Sequence, residues 1–194
     1  MKTMSLPELF KSYIILLLIP ALLFVSCSSQ PIDKATAEKL IVEQNGYPKP
    51  YDYEISCGDM QVAKKLLDLG FEADGLVSIA KSKSASEIGT PWVTFTDKGK
   101  QYMLPTKEED LKYQGQNVKL ANQEFGEITG IVAGGKDNKA AMVEYTVVNK
   151  NITPFSKMIK RDLTKPEKHK AYFVKYDTGW KLDKSGELMM MGLQ

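Results

Sequence analysis

The chain carries few of the residues that usually do chemistry. Its 194 residues include one histidine, His169, and two cysteines, Cys27 and Cys57. No Cys/His pair has zinc-site spacing, which excludes a structural or catalytic zinc of the ordinary kind. There is no G-x-S-x-G elbow and no phosphate loop, and Gly134-Gly135 is not followed by a helical pattern. An excess of one charge sign is also missing. With 26 basic and 24 acidic residues the formal net charge is +2. That balance gives no electrostatic case for nucleic acid or for wholesale adhesion to anionic lipid. A membrane-spanning run is absent from the N-terminal region too. Tyr13 to Val25 are apolar apart from the Pro20 break, which makes 13 residues. As a helix they reach roughly 20 Å, short of the ~30 Å hydrocarbon core.

That apolar run has informative flanks. Lys2 and Lys11 precede it with one opposing charge, Glu8, and small residues follow it. This is the pattern of a signal peptide covering residues 1–26. Leu23-Phe24-Val25-Ser26-Cys27 resembles the lipobox of bacterial lipoproteins. The resemblance implies cleavage between Ser26 and Cys27 and a diacylglyceryl group on the Cys27 thiol. It further implies a lipid anchor in the cell membrane or outer membrane, with the soluble part in the periplasm or outside the cell. Ser28 after the cysteine resembles the pattern sent on to the outer membrane. An ordinary secretory peptide and a single anchor helix stay open as alternatives. If Cys27 carries lipid, Cys57 stands alone as a buried or free thiol, and a Cys27–Cys57 disulfide requires an unlipidated Cys27.

Without residues 1–26 the chain keeps 24 basic and 23 acidic residues, long enough for a real core. The expected class is α+β. After a tether at 27–32, a helix-rich half is expected over 33–104. Asp33 caps a helix that Asn45-Gly46 stops. Tyr51, Tyr53 and Ile55 alternate with polar residues as a strand. Asp59 caps a second helix that Gly70 ends, and Leu76–Ala80 and Trp92–Thr96 read as strands. The stretch "LLDLGFEADGLVSIAK…PWVTFTDKGKQYML" resembles the end of a winged helix. That likeness implies a recognition helix over Met60–Leu69. Basic groove-reading stripes are absent from it, so nucleic acid is not an expected partner. Residues 105–117 are read as a linker with an acidic run, Glu108-Glu109-Asp110.

The remaining half, 118–194, reads as an antiparallel sheet with a short helix. Strands are expected at Val118–Phe125, Glu127–Ala133, Ala140–Asn149, His169–Tyr176 and Trp180–Leu182. A hairpin falls at Gly134–Asn138 and Thr153-Pro154 opens the helix. "VEYTV…TPFSKM…KAYFVKYDTGWKL" resembles cystatin-like or NTF2-like sheets found in bacterial lipoproteins. No catalytic motif accompanies that likeness.

Candidate site residues are correspondingly few. Cys27 is the lipidation site and Ser26–Cys27 the cleavage point. Lys157, Lys160, Arg161 and Lys165 form a candidate headgroup-facing basic patch, since each basic residue near an anionic surface contributes ~1 kcal/mol. His169 lies in a charged strand start and reads as a surface residue. Glu124, Glu127 and Glu144 fall on neighbouring strands and are the only candidate acid–base set. Met189-Met190-Met191 suits a core plug, a soft binding surface or a frayed end. No catalytic residue, metal or cofactor is expected. The expected role is a lipid-anchored, non-catalytic binding or assembly module of the cell envelope, with an envelope protein or small ligand as partner. A small-ligand carrier using a cleft in the C-terminal sheet and a carboxylate-based hydrolase are the alternatives.

Overall fold

A computed structural model describes residues 30–135 and 138–186. The chain divides into two units, 1–30 and 31–194, and everything below belongs to the second. Ser26, Cys27 and Met189 to Met191 lie outside the described residues.

Helix α1 spans Lys34–Asn45. Asp33 caps it by accepting from the Thr36 N–H at 2.9 Å, and Gly46, at φ +68°, ends it in the left-handed region that favours glycine. Strand β1, Lys49–Ser56, follows with the alternating burial its sequence suggests. Asp59 then caps α2, Met60–Asp68, which turns Ala63 and Leu66 inward. Short strands β2, Val77–Ile79, and β3, Val93–Phe95, pair antiparallel around an exposed loop that contains a 3₁₀ turn at Ala85–Glu87.

The span expected to be a linker is structured. One-turn helix α3, Asp97–Lys100, precedes it, and α4, Glu108–Lys112, lies inside it. Asn117 donates its N–H to Thr106 Oγ1 and accepts from the Leu104 N–H, so 105–117 is tied to its neighbours at both ends. Gly99 in α3 sits where an added Cβ would meet the Leu76 carbonyl, a close approach only glycine permits.

Strand β4 runs unbroken from Gly115 to Gly134, although the sequence suggests two strands parted near Gly126. Register shifts between Phe125 and Ile128, and again before Gly130, bend it without ending it. Gly126 leaves room for Thr146, whose hydroxyl accepts from the Glu127 N–H at 3.1 Å. Strands β5, Ala140–Lys150, β6, Glu167–Tyr176, and β7, Gly179–Leu182, complete an antiparallel sheet of order β1-β4-β5-β6-β7. The architecture is α+β. One sheet serves both expected halves, because β1 pairs with β4 from Lys49↔Gln123 to Ser56↔Gly115.

Two apolar clusters fill the fold. The first joins Ile55, Leu66, Phe71, Val93 and Phe95 to Val118, Leu120, Phe155 and Met158. Phe155 enters from a 3₁₀ turn, Pro154–Met158, that Thr153 caps. Its ring lies 5.1 Å from Phe71 and 5.8 Å from both Phe95 and Tyr102, within the range of favourable aromatic packing. The second cluster packs Ile32, Ala37 and Ile41 against Ala141, Val143, Tyr145 and Val147. Helix α1 therefore covers the face of the sheet that carries Val143, Tyr145 and Val147.

Candidate functional site

A concave charged feature lies between α2 and the segment of the Pro154–Met158 turn. In α2, burial of Ala63 and Leu66 leaves Gln61, Lys64, Lys65 and Asp68 on the outer side. In the turn, burial of Phe155 and Met158 leaves Lys157 outside, and Lys160, two residues past its end, is exposed as well. The two elements are locked together where Lys65 Nζ donates to the Met158 carbonyl at 2.8 Å. Between them is a cleft of about 480 Å³, floored by Leu69 and Met158.

Its charges are only partly matched. Lys64 pairs with Asp68 at 2.7 Å, and Lys157 with Asp74 at 2.9 Å. The hydrogen bond from Lys157, followed by its charge, holds the Asp74 carboxyl below the usual aspartate range. Among the described residues Lys160 has no acidic partner within ion-pair distance.

The four residues of the expected basic patch make different contacts. Lys157 and Lys160 line the cleft. Arg161 instead bonds Glu167 at 2.9 Å and the Tyr51 hydroxyl at 2.6 Å, with its guanidinium 5.2 Å from the Tyr51 ring centre. Lys165 pairs with Asp162 at 3.5 Å. In their place the fold supplies Lys64 and Lys65. The sequence shows these two as the solvent face of an amphipathic helix, and nothing local ties them to a turn some 93 residues away.

The candidate acid–base residues are dispersed. Glu124 borders a hollow with Tyr47 and Phe125, whereas Glu144 borders a different one and lies 3.5 Å from Lys170. Glu127 is exposed. His169 is less of a surface residue than its charged neighbours suggest. Its ring lies 5.6 Å from that of Tyr145, and its Nε2 is buried 3.7 Å from Glu167. Burial pushes the Tyr145 hydroxyl, and more mildly that of Tyr47, above the ordinary phenol range, so both stay protonated.

Cys57 is a free, buried thiol beside an apolar hollow of about 320 Å³ lined by Val93, Phe95, Met103 and Leu111. Burial raises its pKa to about 11. Among the described residues no three His, Cys, Asp or Glu side chains are grouped to hold a metal, and no helix is long and apolar enough to cross a membrane. No family model matches the chain, and neither a curated protein nor a solved structure matches it.

Proposed function

We propose that this chain is a lipid-anchored cell-envelope lipoprotein whose folded unit is a non-catalytic binding or assembly module. The observation that carries the reading is Ser26-Cys27 at the end of the apolar run, with three residues between Cys27 and the start of the folded unit at Pro31. Acyl chains on Cys27 replace a membrane span, because each buried CH₂ contributes ~0.8 kcal/mol and two or more chains hold stably. Extended residues span at most ~3.6 Å each, so so short a tether keeps the folded unit beside the bilayer. The separation of Glu124 from Glu144, which border different hollows, supports binding over acid–base chemistry. Ser28 supports onward transport to the outer membrane in a diderm cell.

In shape, we read the helix, strand, loop, strand and 96–100 step of residues 60–104 as winged-helix-like, within a helix-rich 33–104. The five-stranded antiparallel order supports a cystatin-like or NTF2-like sheet. The apolar hollow beside Cys57 favours a second functional reading, a carrier for a small apolar ligand, placed away from the sheet face that α1 covers.

Mass spectrometry of the mature protein tests the anchor. Wild type is expected to start at Cys27, carry a diacylglyceryl mass there and fractionate with membranes. Cys27→Ala is expected to lose both the mass and the membrane association. A wild-type Cys27 that is unmodified, or bonded to Cys57, sinks the proposal.

A further inference from the structure

We infer that the lysine-lined cleft between α2 and the Pro154–Met158 turn binds a phosphate group borne by an organic molecule. This names a ligand class for the binding role proposed above and rests on that role, though not on the lipid at Cys27.

Four lysines, Lys64, Lys65, Lys157 and Lys160, line one concavity. Gathering like charges opposes folding, and the exposed pairs that partly offset it contribute little, about 0–1 kcal/mol each. Asp68 pairs with Lys64 and Asp74 with Lys157, which leaves Lys65 and Lys160 without an ion pair among the described residues. A phosphate monoester carries about −1.5 to −2 at neutral pH, which matches that deficit.

The donors are also held in place. Lys65 is fixed by the Met158 carbonyl, and its ammonium lies 5.7 Å from the Tyr53 ring centre. Lys157 is fixed by Asp74 and lies 5.9 Å from the Phe71 ring centre. Ordering them before a ligand arrives lowers the entropy cost of binding. The Gln61 amide adds a neutral donor at the rim. A volume of about 480 Å³ exceeds what a bare ion fills and lies within the range of small-molecule sites, about 300–1,000 Å³. Leu69 and Met158 offer the organic portion an apolar floor. The shared chemistry fits a soluble phosphomonoester and a phospholipid headgroup alike.

Lysine acylation footprinting of the full chain, read by mass spectrometry, tests this. One arm uses glycerol 3-phosphate and the other phosphatidic acid in phosphatidylcholine vesicles, with phosphatidylcholine alone as the blank. With the probe at about ten times its Kd, modification of Lys64, Lys65, Lys157 and Lys160 is expected to slow by about tenfold. Lys39 and Lys165, outside the cleft, are expected to be unchanged. Protection in both arms identifies a soluble phosphate ligand as sufficient, and protection by the vesicles alone identifies a headgroup. Lys160→Glu, a surface change that breaks no hydrogen bond or ion pair among the described residues, is expected to remove the protection of the other three lysines. Lys165→Glu is expected to keep it. No protection in either arm, equal slowing at Lys39 and Lys165, or full protection surviving in Lys160→Glu overturns the inference. Because the readout is lysine reactivity, it fails independently of the Cys27 mass that tests the anchor.

Discussion

Cys57 joins three segments through its backbone. Its N–H donates to the Gln114 carbonyl at 2.8 Å, and its own carbonyl accepts from Trp92 and Val93 at 2.7 and 3.1 Å. These bonds carry the thiol inside, where desolvation disfavours the thiolate and raises the pKa to about 11. A raised folded-state pKa means the protonated thiol stabilises the fold fully below its ordinary value, near ~8.5. That contribution is lost as pH rises toward 11. The urea midpoint of wild type is therefore expected to fall more between pH 8 and 10.5 than that of Cys57→Ala. Parallel midpoints in the two proteins would show that the thiol does not titrate with unfolding. A buried lone cysteine is legible from composition. The inward nitrogen of His169 is not, because its neighbour Tyr145 comes into reach only when β6 docks on β5.

At the scale of elements, caps are the most transparent part of the sequence. Asp33 accepts both the Thr36 N–H, at 2.9 Å, and its hydroxyl, at 2.7 Å, and these bonds hold its carboxyl below the usual aspartate range. A depressed folded-state pKa gives stability that is present above the ordinary value and lost as pH falls through the folded one. The protection factors of the Thr36 and Ala37 amides, taken against the intrinsic exchange rate at each pH, are expected to fall on acidification in wild type. Asp33→Asn, an equally good cap without a charge, is expected to keep those amides protected in acid, and Asp33→Ala to expose them at every pH. Unchanged exchange in Asp33→Ala would mean that the Ile41 packing alone holds the first turn. Strand β4 shows the opposite case. Gly126 looks like a break because local sequence cannot show that Thr146 on the next strand supplies the missing hydrogen bond.

For the whole molecule, the two clusters are expected to unfold together. Strand β4 carries Val118 and Leu120 into the first cluster, and Phe125, Ile128 and Ile131 pack against the second. Trp92 lies against the first cluster and Trp180 against the second, so each tryptophan reports one of them. In Trp180→Phe and Trp92→Phe proteins, urea transitions by fluorescence and by far-UV circular dichroism are expected to coincide. Phe155→Ala removes a fully buried ring from the first cluster alone and is expected to cost about 3–5 kcal/mol. The shift should be the same at both tryptophans. A loss confined to Trp92 fluorescence would show two separately folding halves instead of one.

The sequence alone determined the local events. The short apolar run closed by Ser26-Cys27, the Asp33 and Asp59 caps, the Gly46 stop and the alternation of β1 all depend on neighbours a few residues apart. Tertiary structure decided the rest: β1 crossing into the later sheet, α1 covering that sheet's face, and Lys64 and Lys65 joining Lys157 and Lys160 while Arg161 and Lys165 turned elsewhere. The physical reason is that a charged side chain is free to follow whichever partner the packing brings near, and the packing is set by apolar surfaces far apart in the chain.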